Sequence, residues 1–170
     1  MKKEKKIKHY KSVFENEQEL LKAIIDIHLN GMPIHCDPMY FRGNFYKDGI
    51  AKPFHRFDIK PPEGVDCAVG DARKLPFEDN YLSNIILDPP FMFGGHGKQK
   101  KYYSSRTHGF LSWEQLQELY QDILKEAYRV LKKKGICVFK CQDYTDSKTT
   151  MTHVLVYNWA TEIGLSLIHI

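Results

Sequence analysis

"SNIILDPPF", residues 83 to 91, decides how the rest of the chain reads. Its apolar middle does not alternate with polar residues, which suits a strand buried on both faces of a mostly parallel sheet. Proline has no N–H to give a ladder, so the strand ends at Leu87 and the turn from Asp88 to Phe91 leaves the sheet. A carboxylate, two prolines and an aromatic ring are poor packing material but suit a site.

Working outward, five more short β-rich runs appear: "PIHCD" (33 to 37), "FHRFD" (54 to 58), "VDCAVGD" (65 to 71), "GICVFKC" (135 to 141) and "LSLIHI" (165 to 170). Helical spacing of Leu20, Leu21, Ile24, Ile25 and His28 predicts a helix over 15 to 30, stopped by "NG" at 30 and 31. A second helix lies in "LSWEQLQELYQDILKEAYRVLKKKG" (111 to 135). Ser112 and Gln115 form a capping box there, with Leu111 and Leu116 as a staple, three lysines in the last turn and Gly135 as the stop. A third helix is predicted over about 149 to 163, ended by Gly164. Strands alternating with helices predict an open α/β sheet. The final run "LSLIHI" would leave a hydrophobic edge, so we expect a truncated or minimal version of a larger fold.

The chain has 170 residues, 42% of them hydrophobic and 13% aromatic, enough for one ordinary core. We expect a single domain over 15 to 170, preceded by a basic, flexible tail over 1 to 14. Residues 1 to 11 hold six lysines and one glutamate, a local charge of +5 that leaves the remainder at −1. A solvated tail or loose attachment to nucleic acid accounts for that run. No apolar stretch has the length of a membrane span and no signal-peptide core follows the lysines, so a cytoplasmic protein is expected. Cys36, Cys67, Cys137 and Cys141 form no CxxC pair, and the eight histidines show no HExxH spacing, so no metal site is predicted.

Asp37, Asp58, Asp71 and Asp88 each end a predicted strand. In open α/β sheets ligands sit outside the carboxyl ends of the strands, and an acidic group at the second strand end can accept both ribose hydroxyls of a nucleoside. The series therefore predicts a nucleoside-containing ligand.

"DPPF" resembles motif IV of the class I S-adenosylmethionine-dependent amino-methyltransferases, Asp/Asn/Ser-Pro-Pro followed by an aromatic, and "GDARKLPFEDNYLSNIILDPPF" resembles their passage from third to fourth strand. The likeness covers roughly residues 31 to 143. It implies a Rossmann-like fold, S-adenosylmethionine as cofactor, and methyl transfer to an exocyclic amino group of a nucleobase. The Asp88 side chain and the Pro89 backbone carbonyl would accept the two amino N–H bonds. Pro90 stiffens the turn, and Phe91 offers a face for a base taken out of its helix. By the same resemblance Asp37, Pro38 and Gly43 belong to the cofactor loop, Asp58 to the ribose, and Asp71 with Ala72 to the cofactor adenine. "DPMYFRGNFYKDG" (37 to 49) has no GxG, so Gly43 is the single candidate for close backbone approach, and the helix after it must be short or absent. "IKPPEG" (59 to 64) is short for a parallel crossover, so the third strand begins later or that edge is simplified.

Behind Phe91, "MFGGHGKQKKYYSSRTHGF" is glycine-rich, basic and aromatic. Lys98, Lys100, Lys101 and Arg106 are expected to meet phosphates, and Tyr102 or Tyr103 to stack. No recognition domain fits between the motifs. DNA, methylated at adenine N6, is the favoured partner and substrate; alternatives are an RNA guanine-N2 enzyme or a non-catalytic nucleic-acid-binding subunit. Neither sequence specificity nor oligomeric state can be read from these residues.

Overall fold

The computed structural model describes residues 11, 13 to 91, 112 to 145 and 149 to 166. Helix α1, Glu17–His28, starts where the Asn16 side chain accepts the Glu19 N–H at 2.8 Å. It stops where Asn30 and Gly31 take positive φ, as "NG" predicts. Helix α2, Trp113–Val130, carries the expected capping box: Ser112 Oγ accepts from Gln115 N, and Gln115 Oε1 accepts from Ser112 N at 2.8 Å. Leu111, the outer half of the expected staple, lies outside the described residues. Helix α3 covers Thr152–Glu162.

Strands β1 (Cys36–Asp37), β2 (His55–Asp58), β3 (Ala68–Val69), β4 (Leu82–Leu87) and β5 (Leu131–Phe139) form one sheet in the order β3-β2-β1-β4-β5. Every pairing in it is parallel. The fold is thus an open α/β sheet of Rossmann-like type, as expected. A separate hairpin, β6 (Tyr144–Thr145) with β7 (Thr149–Thr150), is antiparallel and was not legible in the sequence.

Burial follows the strand alternation that places successive side chains on opposite faces. Ile85 and Leu87 pack with Ile123, Ala127 and Val130 of α2, while Ile86 packs with Leu21 of α1, Ile34, Tyr40 and Tyr46. Both faces of β4 are therefore covered, which is why its sequence shows no polar alternation. α3 completes that side by setting Val156 against Leu116, Tyr120 and Leu124 of α2. Strand β1 has two residues because a side chain replaces part of its ladder. The buried Asn84 accepts from His35 N at 2.7 Å and donates to the Pro33 carbonyl at 3.3 Å.

Three expectations are corrected. The lysines at 132 to 134 are not the last turn of a helix: α2 ends at Val130, and Leu131 already pairs with Leu82. The ladder then skips to Asn84 beside Ile136, so Lys132 to Gly135 bulge outward, with Lys134 at positive φ. The third strand begins at Ala68, and residues 59 to 67 cross to it without a helix. Leu165 and Ser166 carry no strand, and the rest of "LSLIHI" lies outside the described residues.

No helix separates β3 from β4 either, and α2 reaches over to fasten that connection. Glu126 Oε1 accepts from Leu75 N at 2.6 Å and from Arg129 at 2.7 Å. Arg129 in turn donates to the Phe77 carbonyl at 2.9 Å and to Asp79 at 2.7 Å. Replacing Arg129 with methionine leaves the Glu126 carboxylate buried beside one backbone donor. We expect Arg129→Met to cost about 2 kcal/mol in urea unfolding, and Asp79→Ala, which removes an exposed partner, less than about 1 kcal/mol.

Candidate active site at the carboxyl rim of the sheet

Because all five strands run the same way, their carboxyl ends share one rim. Across the sheet that rim reads Asp71, Asp58, Asp37, Asp88 and Lys140, the last following β5 directly. Strand order reverses between β1 and β4, the place where such sheets open a crevice.

Asp37 lies below the rim rather than on it. It is 2% exposed, and its oxygens accept from Met39 N at 2.9 Å and from the Tyr46 hydroxyl at 2.8 Å. Burial pushes its carboxyl up to about 7, against the pull of those two hydrogen bonds and with the help of the Asp88 and Asp58 charges. Pro38 is buried beside it. The loop beyond has no helix, as expected, and Tyr40 and Tyr46 fill it, their rings stacked at 5.5 Å. Gly43 has φ +64, and a Cβ there would collide with the Tyr40 ring. Its missing side chain makes room for that ring, not for an open cradle.

Asp58 is 9% exposed at the end of β2 and accepts one backbone N–H on each oxygen, from Phe41 at 3.0 Å and Lys60 at 2.8 Å. A carboxylate oxygen has two acceptor directions, so each keeps one for a ligand hydroxyl. Asp71 is tied to the backbone N and guanidinium of Arg73, the shortest contact being 2.6 Å. The Ala72 methyl points into the core among Leu75, Ile123 and Ala127, leaving its backbone to serve the rim.

Asp88 begins the turn after β4, its side chain 28% exposed, with Oδ1 3.5 Å from Lys140 Nζ. Pro89 is buried, and Pro90 and Phe91 partly so. The turn is fastened from below: the hydroxyl of Tyr120, a residue of α2 that is 1% exposed, donates to the Pro90 carbonyl at 2.8 Å. That leaves the Pro89 carbonyl and the free edge of the Asp88 carboxylate as acceptors for a substrate. Lys140 also reaches Glu17 at 2.6 Å and lies over the Phe45 ring, 4.9 Å from its centre. Burial works against its charge, but the Glu17 hydrogen bond and the Asp88 carboxylate outweigh it and hold the ammonium above an ordinary lysine.

The structure thus brings Asp37, Asp58 and Asp88 together and leaves Asp71 at the outer end of the rim. Lys98, Lys100, Lys101, Tyr102, Tyr103 and Arg106 lie outside the described residues. Sequence reasoning missed Tyr120, whose signal is a tyrosine on the apolar stripe of an amphipathic helix, and Lys140, a lone lysine closing an apolar strand. Two cavities accompany the rim. A groove of about 1390 Å³ follows β5 and α3 up to Phe45 and Lys140, and one of about 720 Å³ lies under α1; neither has Asp58, Asp71 or Asp88 in its wall. Among the described residues no cluster of side chains could hold a metal ion, and no helix is long and apolar enough to cross a membrane.

No protein-family model and no curated protein matches this sequence. The fit of a nucleoside cofactor therefore rests on the residues. Asp58, buried and half-saturated, suits a ribose diol; the loop at Gly43, filled by Tyr40, shows no cradle for a methionine chain.

The Asp37 carboxyl carries a pH signature. A folded carboxyl near 7 takes up its proton well above the unfolded chain's value of roughly 3.9, so it favours folding at low pH and loses that contribution as pH rises through about 7. Asp37→Asn, which cannot ionise, is expected to gain stability relative to the native chain as pH goes from 5 to 8 in urea titrations. A constant difference across that range would show that Asp37 does not titrate there.

Proposed function

We propose that this chain transfers a methyl group from S-adenosylmethionine to an exocyclic amino group of a nucleobase, with adenine N6 in DNA as the first target and guanine N2 in RNA as the second. The observation that carries this reading is Asp88: a half-exposed carboxylate at the strand-order switch, followed by a proline turn that Tyr120 fastens to α2. Two neighbouring acceptors are what an aromatic amine needs, because its lone pair is delocalised into the ring and must be turned toward an electrophile.

When bound, S-adenosylmethionine supplies an electrophilic methyl group on a sulfonium. Asp58 would hold its ribose, Asp71 and the backbone at Ala72 its adenine. Asp88 accepts one amino N–H and the Pro89 carbonyl the other, which aims the nitrogen lone pair. Asp88 is also within reach of the proton that the nitrogen releases. Phe91 follows directly and is the aromatic available for stacking on a flipped base. The Tyr40 ring against Gly43 favours a second reading, a non-catalytic nucleic-acid-binding subunit, and cofactor binding separates the two.

Incubation with methyl-labelled cofactor and unmethylated DNA or RNA, followed by nucleoside mass spectrometry, is expected to give N6-methyldeoxyadenosine from DNA. N2-methylguanosine from RNA alone would replace the substrate, and no methylated nucleoside from either would sink the reading. Asp88→Ala should slow transfer by at least about 100-fold and leave cofactor affinity, by equilibrium dialysis, within about threefold. Equal loss of both would make Asp88 a cofactor residue.

A further inference from the structure

Lys140 follows β5, and strand alternation sends it to the face of Ile136 and Val138, the face covered by α1 and the loop after β1. Partners from three separate segments grip its ammonium there: Glu17 from α1, the Phe45 ring from the cofactor loop, and Asp88 from the proline turn. Ordering a lysine side chain costs rotamer entropy that a lysine serving only solubility would not lose. An ammonium has three N–H bonds. Glu17 and Asp88 take two of those directions, and the side chain is still 37% exposed, so the third can face a ligand at the rim.

A donor now stands 3.5 Å from the acceptor that the amino group is to use. An exocyclic amine beside an unprotonated ring nitrogen, as in adenine N6 and N1 or cytosine N4 and N3, presents the complementary order of donor and acceptor. We propose that Asp88 and Lys140 read this pair together, Asp88 accepting from the amino group and Lys140 donating to the adjacent ring nitrogen. The proposal rests on the methyl-transfer reading and narrows its substrate to adenine or cytosine. Guanine places an N1–H beside its amino group on the Watson–Crick edge, a second donor facing the ammonium. Glu17 is a positioning residue that keeps Nζ beside Asp88.

The test replaces one atom of the base. An oligonucleotide carrying the methylated site, mapped on DNA treated with the full chain, is made with adenine or with 1-deazaadenine at the target; for a cytosine target, 3-deazacytosine is used. Native protein is expected to lose roughly 10- to 100-fold in kcat/KM on the deaza base. Lys140→Met should lose about as much on the normal base and no longer tell the two apart, while Lys140→Gln, which keeps an N–H donor, recovers part of the discrimination. Oligonucleotide affinity without cofactor, by fluorescence anisotropy, should show the same pattern. Native protein that methylates and binds both bases within about twofold overturns the proposal, as does full discrimination by Lys140→Met. If Lys140→Met fails to fold, the native comparison decides alone. Methylated guanine as the product defeats the proposal and spares the methyl-transfer reading; no methylated product at all defeats that reading itself.

Discussion

Register at β4 is the constraint on which the site depends. Ile85 stands opposite Cys36 on one side and Cys137 on the other. Two residues further on, Leu87 stands opposite Phe139, which delivers Asp88 and Lys140 side by side at the rim. A slip of one residue would send one of them to the opposite face. That slip is blocked from both sides: Ile85 and Leu87 are committed to the α2 core, Ile86 to the α1 core. The chemistry is thus held in place by packing several ångströms below it.

Parallel strands also concentrate like charge, since their ends bring three carboxylates to one edge. The structure answers in two ways. Asp37 is sunk and bonded to Tyr46, so that near neutral pH it carries a proton for much of the time. Asp88 instead receives a cation, Lys140, which Glu17 steadies. Asp58 stays at the rim with both oxygens held by backbone donors. One edge therefore offers a neutral acid, a paired carboxylate and a backbone-bonded carboxylate, three groups of the same type made chemically distinct by their surroundings.

The legible features were local ones. "SNIILDPPF" announced a strand covered on both faces and its forced end, and Ser112 with Gln115 announced the start of α2, because each follows from a few adjacent residues. The lysines at 132 to 134 misled because they suit a helix terminus, whereas pairing of Leu131 with Leu82 decided the matter from far along the chain. Carboxylates at strand ends were readable as a series, but their differences were not: nothing adjacent to Asp37 tells that Tyr46 would bury it. Lys140 gained its meaning from Glu17, Phe45 and Asp88, residues that only the fold brings together.

The central claim is that this rim binds S-adenosylmethionine at Asp58 next to the acceptors at Asp88. Calorimetric titration of the full chain with that cofactor tests it most directly, run beside an Asp58→Ala variant whose folding is checked by its melting curve. The account predicts saturable binding to the native chain that weakens at least about tenfold in the variant, the loss of charged hydrogen bonds to a ribose. Absence of heat at high micromolar cofactor, or equal binding by both proteins, would contradict it.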